Sequence, residues 1–193
     1  MLKRILNNLM LFTSHRDLMI DYSRIYSIAS GVKPVDHKNP IAKVEDLKRV
    51  NVKIRRFVVL GLEWCEENFG RRNDGYSLKI NYTFSCTVGS YFYYDKLFVI
   101  RVWNNQELIY LVEAIVHEYI HYLQFKSERI KLKSDKLRDE LGYENNPYEI
   151  EARIISNKLK NVCLNSLIAK IGSQNKYEFQ NRSSFVILSD EPV

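Results

Sequence analysis

Residues 112–125, VEAIVHEYIHYLQF, place two histidines and two glutamates in a stretch that is otherwise almost wholly apolar. A helix over this stretch would be buried on most sides, because apolar side chains point in nearly every direction around its axis. The polar side chains concentrate on one narrow stripe, formed by Glu113, His117, His121 and Gln124. Such a stripe on a buried helix must meet water, a partner or a metal, since an unpaired buried polar group costs roughly 1–3 kcal/mol.

His117 and His121 are one helical turn apart, so both imidazoles can reach one ion. Glu118 lies beside them and points off the stripe. In this HExxH arrangement two imidazoles bind Zn²⁺ and the glutamate takes a proton from the metal-activated water. The competing interpretation is a pair of core histidines with an incidental glutamate between them. The helical setting and apolar flanks favour a Zn²⁺ site, with Glu118 as the catalytic base.

A catalytic zinc ion usually has three protein ligands. No histidine follows His121, so a downstream third ligand must be one of these carboxylates: Glu128, Asp135, Asp139, Glu140, Glu144, Glu149 or Glu151. Asn146 and Pro147 predict a helix start, and Glu149 completes a capping box with Asn146. Glu151 shares the apolar face of that helix. We therefore predict Glu151 as the third ligand; the alternative is a buried ion pair of Glu151 with a lysine or arginine.

The pattern along the chain predicts an α+β fold with a small antiparallel or mixed sheet. We expect helices over 2–29, 42–70, 105–126 and 147–171, strands over 76–84 and 90–102, a possible short strand over 184–188, and loops over 30–40 and 127–146. The second strand segment should divide near Asp95 and Lys96 into two strands. Asn104 with Glu107 predicts the capping box of the histidine-bearing helix, and Gly70 and Gly172 are expected helix stops.

The bulk properties predict a single domain over 1–193, with a helical part over 1–70, a core over 76–171 and a tail over 173–193. Three scattered cysteines without a CxxC pair indicate reduced thiols, which suits a cytoplasmic protein. The net charge is +6, but the cations are scattered, so solvated faces are favoured over a nucleic-acid patch. No stretch is long and apolar enough to span a bilayer, and the N-terminus predicts an amphipathic helix rather than a signal peptide.

The segments HEYIH (117–121) and NPYEIEARIIS (146–156), preceded by SYFYYDKLFVIRV (90–102), resemble a zincin metallopeptidase of the gluzincin type. The resemblance extends to the minimal gluzincin-like domains of small bacterial, archaeal and phage proteins and to the ImmA/IrrE peptidases. It implies a small sheet over the histidine-bearing helix, and a glutamate on a second helix that completes the zinc site. It also implies an edge strand lining the cleft, for which 97–102 is the candidate.

The resemblance further implies a tyrosine or histidine that steadies the oxyanion. Tyr143 and Tyr148 are the candidates, and simple packing is the alternative role for both. Ile150 and Ile155 stand where thermolysin-like enzymes have asparagine and aspartate, so the outer partner of the histidines is expected elsewhere, with Glu113 as the candidate.

The function predicted from these patterns is zinc-dependent hydrolysis of a peptide or protein substrate. The alternative is a catalytically silent binding or structural protein with a zincin fold, associated with a virion or a nucleic acid. The abundance of Asn, Lys, Ile and Tyr indicates an AT-rich genome, as in some bacteria and phages, so a virion-associated location is the second expectation beside the cytoplasm.

Overall fold

The computed structural model describes residues 27–28, 41–174 and 186–187. The elements after residue 41 are helix α1 (Asp46–Arg49), helix α2 (Ile54–Phe69), strand β1 (Ser77–Asn81), strand β2 (Gly89–Phe92), strand β3 (Leu97–Arg101), helix α3 (Leu108–Gln124), helix α4 (Glu128–Leu141), a 3-10 helix (Tyr143–Asn145), helix α5 (Pro147–Gln174) and strand β4 (Val186–Ile187). This is the α+β class predicted from the sequence. The predicted helices over 2–29, apart from residues 27–28, the loop over 30–40 and most of the tail lie outside the described residues.

The strands form one mixed sheet in the order β2–β3–β1–β4. β1 pairs in parallel with β3 and β4, whereas β2 pairs antiparallel with β3. Lys96 has a positive φ of 49° between β2 and β3, so the predicted division of this segment near Asp95 and Lys96 is confirmed. The expectation that the strand near 97–102 forms the edge is wrong, because β3 lies inside the sheet and β2 lies at its edge.

Helix α3 lies at the centre of the fold, between the sheet and helices α2 and α5. Eight of its apolar and aromatic side chains are fully buried: Leu108, Leu111, Val112, Ile115, Val116, Tyr119, Ile120 and Tyr122. Burying each one stabilises the fold by about 1.5–3 kcal/mol. Aromatic rings fill the space between α3 and the sheet, where Phe98 stacks on Tyr119 with ring centroids 6.3 Å apart. The helix that carries HExxH is therefore held rigidly on both sides.

The predicted helix over 42–70 is divided into α1 and α2. Asn51 adopts a positive φ of 55° at the break, and the Val52 N–H donates to the Leu47 carbonyl at 2.9 Å. The β-branched residues around Asn51 suit this extended turn better than a continuous helix. Gly70 ends α2 with a φ of 83°, as predicted.

The predicted capping box of Asn104 and Glu107 is wrong, because α3 begins only at Leu108. The Asn104 carbonyl accepts from the Glu45 N–H at 3.1 Å, and the Leu108 N–H donates to the Ala42 carbonyl at 2.8 Å. The chain before α3 therefore pairs in an extended conformation with the segment that precedes α1.

The segment 127–146, expected to be irregular, contains helix α4 and the 3-10 helix. The Ser127 hydroxyl caps α4 by accepting from the Ile130 N–H at 3.4 Å, and Gly142 ends it with a φ of 80°. The many charges of this segment are consistent with a helix that exposes most of its surface.

Helix α5 starts at Pro147, as predicted, and has 28 residues. It continues through Gly172, so the predicted stop at this glycine is wrong. Its contacts with α3 are the most extensive between any two elements in the described part of the chain. None of the helices described combines the length and the apolar character that a membrane-spanning segment requires.

Candidate metal centre

Two histidine rings meet on the C-terminal half of α3. The ring centroids of His117 and His121 are 4.7 Å apart, and their Nε2 atoms are separated by 3.0 Å. The side chains are 14% and 7% exposed, respectively. The four-residue spacing read from the sequence thus directs both imidazoles to one point, close to the surface but sheltered from it.

The carboxylate of Glu149, from the first turn of α5, completes the group. Its Oε2 lies 3.3 Å from His117 Nε2 and 3.2 Å from His121 Nε2. The ligand atoms of these three residues all lie within 4.8 Å of one another. Among the described residues, Glu149 forms no ion pair with a lysine or arginine. We refer to His117, His121 and Glu149 as the histidine–glutamate group.

Glu151, the predicted third ligand, is not in this group. It is 0% exposed, and its Oε2 accepts a 2.7 Å hydrogen bond from Gln124 Nε2. The prediction assigned Glu149 to a capping box, but the Asn146 side chain caps α5 alone by accepting from the Tyr148 N–H at 3.1 Å. The Asn146 N–H is satisfied by a neighbouring carbonyl, which leaves Glu149 to reach the histidines. Glu151 does point inward, as expected, but towards an amide.

The donor atoms of the histidine–glutamate group fit a zinc ion. Zinc–ligand bonds of about 2.0–2.1 Å at tetrahedral angles separate the ligand atoms by about 3.3 Å. The observed separations are 3.0, 3.2 and 3.3 Å. Two imidazoles and one carboxylate also form one of the three-ligand sets used by catalytic zinc. The structure therefore brings together a chemically and geometrically suitable set of ligands.

The charge states of the group are coupled. Burial raises the pKa of Glu149, but hydrogen bonds from His117, His121 and Tyr143 outweigh burial and hold this pKa well below its usual range. Burial lowers the pKa of His121, but the hydrogen bond to Glu149 and the charges of Glu118 and Glu149 raise it above its usual value. Glu149 is thus an ionised carboxylate, which is the form that binds a metal.

Glu118 belongs to α3, and its side chain lies between this helix and β2, apart from the three ligand atoms of the histidine–glutamate group. It is only 8% exposed, and a Cβ added at Gly89 would stand 2.7 Å from Glu118 Cγ, so the strand can approach the carboxylate only with glycine there. Burial raises the pKa of Glu118, against the opposing charges of His121 and His117 and a backbone hydrogen bond from Tyr91. The site therefore holds a second, separately positioned carboxylate beside the ligand set.

The two predicted tyrosines occupy different environments. Tyr143 is half exposed, and its hydroxyl lies near enough to Glu149 to lower the pKa of that carboxyl. Burial and the nearby charges of Glu149 and Glu118 raise the pKa of Tyr143. Tyr148 is 4% exposed and lies against the Phe125 ring, with centroids 6.0 Å apart. Tyr143 is therefore the one placed beside the histidine–glutamate group, whereas Tyr148 packs in the core.

The outer partner of His121 is Gln124 rather than the expected Glu113. Glu113 Oε2 instead binds Lys160 Nζ at 2.8 Å, which makes an ordinary ion pair between α3 and α5. His121 Nδ1 lies 2.8 Å from Gln124 Oε1. Sequence reasoning missed this role, although Gln124 lies on the polar stripe one turn after His121, where a partner of its ring is expected.

No protein-family model matches this chain, and neither a curated protein nor a solved structure matches it. Membership of a zincin family therefore stays a prediction from HEYIH and the second helix. The bacterial or phage origin and the cytoplasmic or virion-associated location likewise stay predictions. The geometry of the site, by contrast, comes from the described residues themselves.

Proposed function

We propose that this chain is a zinc-dependent metallopeptidase that hydrolyses peptide bonds through a metal-activated water. The observation that carries the proposal is the convergence of His117 Nε2, His121 Nε2 and Glu149 Oε2 beside the buried carboxylate of Glu118. These three donors would hold Zn²⁺, which when bound lowers the pKa of water to about 7 and polarises a carbonyl. A structural zinc site uses four protein ligands, whereas three donors beside a base suit hydrolysis.

Glu118 is the general base of the proposed reaction. Its carboxylate accepts the proton of the attacking water and later delivers this proton to the departing amine. The raised pKa of Glu118 makes it a stronger base than an exposed glutamate. Gly89 permits the close packing that positions the Glu118 carboxylate, and the half-exposed Tyr143 lies beside Glu149 at the exposed side of the site.

The edge of β2 that pairs with no strand among the described residues is the proposed binding surface for an extended substrate. The Arg101 N–H donates to the Val88 carbonyl at 2.7 Å, so the backbone groups of Val88 face β3. Because these directions alternate along an antiparallel strand, the backbone groups of Gly89 and Tyr91 point away from β3, and the Tyr91 backbone hydrogen-bonds to Glu118. This edge passes beside Glu118. A peptide that adds to β2 as a further strand would place its backbone next to the proposed base.

Substitution of Glu118 by glutamine tests the proposed activity. We expect Glu118→Gln to bind zinc with a stoichiometry of about one per chain, as does the wild type, and to lose about 10²–10⁴-fold in the rate of peptide hydrolysis, because general-base catalysis contributes this much. Zinc content is measured on the purified proteins and hydrolysis on a quenched-fluorescence peptide library. A variant that retains zinc and cleaves at the wild-type rate contradicts the role of Glu118.

A groove on another face favours a second candidate, a nucleic-acid-binding protein. The groove has a volume of about 870 Å³, and its described lining includes Lys48, Lys53 and Arg55 but no acidic residue. Its aromatic rim exposes Tyr82 by 60% and Phe84 by 78%, and such rings stack on unpaired bases. Strongly salt-dependent binding of a single-stranded oligonucleotide, without peptidase activity, would support this candidate over the peptidase.

A further inference from the structure

A buried amide joins His121 to helix α5. Gln124 Oε1 lies 2.8 Å from His121 Nδ1, while Gln124 Nε2 lies 3.0 Å from the Tyr148 carbonyl oxygen and 2.7 Å from Glu151 Oε2. Gln124 is 5% exposed and Glu151 is 0% exposed. The hydrogen bonds of this amide are therefore made with protein groups on all sides.

The two contacts on α5 determine which way the amide faces. A backbone carbonyl can only accept a hydrogen bond, so the Gln124 atom facing Tyr148 must be the NH₂ nitrogen. The carboxylate of Glu151 accepts the second N–H of this group. If the amide were turned over, its oxygen would face two acceptors, the Tyr148 carbonyl and the Glu151 carboxylate. Its two N–H groups would then lose both hydrogen bonds.

The direction of the amide in turn determines the proton position on His121. Because Gln124 presents an accepting oxygen, His121 Nδ1 must carry the hydrogen between them. In the neutral imidazole, Nε2 is then unprotonated, with its lone pair towards His117 and Glu149. Without this constraint, a hydrogen on Nε2 would be favoured by the Glu149 carboxylate at 3.2 Å.

We propose that Gln124 and Glu151 are positioning residues that hold His121 in its metal-binding tautomer. Glu151 and the Tyr148 carbonyl together fix the amide of Gln124, and the amide fixes the imidazole, so a buried carboxylate acts on the metal site through two hydrogen bonds. This positioning role of Gln124 and Glu151 rests on the proposed zinc site. It also explains why Glu151 points inward although it is not a member of the histidine–glutamate group.

Histidine tautomers are read directly by NMR on the metal-free full chain. Long-range ¹H–¹⁵N correlation spectra of histidine-labelled protein, at a pH where the imidazoles are neutral, show which ring nitrogen carries the hydrogen. We expect Nδ1–H for His121 in the wild type and in Glu151→Gln, whose amide oxygen can still accept from Gln124. We expect a shift towards Nε2–H in Gln124→Met and a smaller shift in Glu151→Leu, in which the Tyr148 carbonyl still accepts from the amide.

Lys160→Met is the matched control, because it removes a polar contact between the same two helices without touching a histidine. It should keep the Nδ1–H form of His121 and the wild-type zinc affinity. Gln124→Met should lower zinc affinity about 10–100-fold, as loss of an outer hydrogen-bond partner usually does. Folding of each variant is checked by circular dichroism, and Glu151→Leu provides the test if Gln124→Met does not fold.

The proposal is overturned if wild-type His121 carries its hydrogen on Nε2. It is also overturned if Gln124→Met and Glu151→Leu both keep the Nδ1–H form. A wild-type chain that binds no zinc contradicts the proposed function instead, and the tautomer comparison still decides whether Gln124 and Glu151 hold the ring.

Discussion

Two of the polar contacts between helices α3 and α5 pair a glutamate with a basic partner. In one contact, Glu113 Oε2 lies 2.8 Å from Lys160 Nζ, and the two side chains are 29% and 20% exposed. In the other, Glu149 Oε2 lies 3.2–3.3 Å from two imidazoles and is 13% exposed. The first contact is a partly exposed ion pair, of a kind that contributes about 0–1 kcal/mol.

The chemical nature of a carboxylate's partner therefore says more about its role than its burial does. The Lys160 ammonium group pairs with Glu113 directly, without a metal ion. Neutral imidazoles of His117 and His121 can donate a hydrogen bond to Glu149, but only a proton or a metal ion supplies a positive charge that balances the carboxylate. A bound cation therefore stabilises the histidine–glutamate group, whereas the Glu113–Lys160 pair needs none.

The largest expected difference between the two contacts is the gain in the free energy of unfolding when zinc binds, which should require the histidines but not Lys160. At a free zinc concentration of 100 times the Kd, the free energy of unfolding of the wild type should rise by about 2.7 kcal/mol. His117→Ala should lose most of this gain because it removes a ligand, and Lys160→Met should keep it. Denaturant unfolding with zinc and with a chelator measures the gain, and an equal gain in His117→Ala would show that zinc binds elsewhere.

A comparable effect, on rate rather than on stability, is expected at Gly89. Gly89→Ala places a methyl group 2.7 Å from Glu118 Cγ and must displace either the base or the strand. Peptide hydrolysis should fall by about 100-fold, as displacements of about 1 Å do, with zinc affinity unchanged. The control is Gly172→Ala, which meets open space. Unchanged hydrolysis in Gly89→Ala would mean that the position of Glu118 is not critical.

A smaller effect concerns the pH dependence of the metal-free protein. The pKa of His121 is raised in the folded state, so its stabilising contribution is complete below the unfolded value of about 6.5 and is lost as the pH rises through the folded pKa. Glu149→Gln should weaken this loss because the hydrogen bond and charge of Glu149 raise that pKa. Unfolding free energies measured with chelator across the neutral range provide the comparison; parallel profiles would argue against the coupling.

The fold was predictable where local patterns dominate. The strand pair of β2 and β3, the histidine-bearing helix and the start of α5 all followed from periodicity and helix-start signals. The start of α3 and the division between α1 and α2 were not predictable in this way. The start of α3 depends on backbone pairing between the segments near 42–45 and 104–108, which are distant in sequence. The division depends on a local turn at Asn51, which has a positive φ.

The two histidines that α3 contributes to the site were predictable from the sequence, but the glutamate that α5 contributes was not. Four-residue spacing alone brings His117 and His121 together. The choice between Glu149 and Glu151 depended on where the first turn of α5 meets α3, and on Asn146 capping that turn by itself. Helical-face reasoning correctly pointed Glu151 inward, but it could not show that Gln124 would be its partner.

The decisive test of the proposed metal centre is the zinc affinity of three glutamate variants, measured by competition with a chromophoric chelator. Glu149→Ala should lose more than about 100-fold in affinity, because even outer partners of a ligand contribute 10–100-fold. Glu151→Ala should show the smaller loss of an outer partner, and Glu113→Ala should match the wild type. Wild-type zinc affinity in Glu149→Ala would contradict the assignment of the histidine–glutamate group as the metal centre.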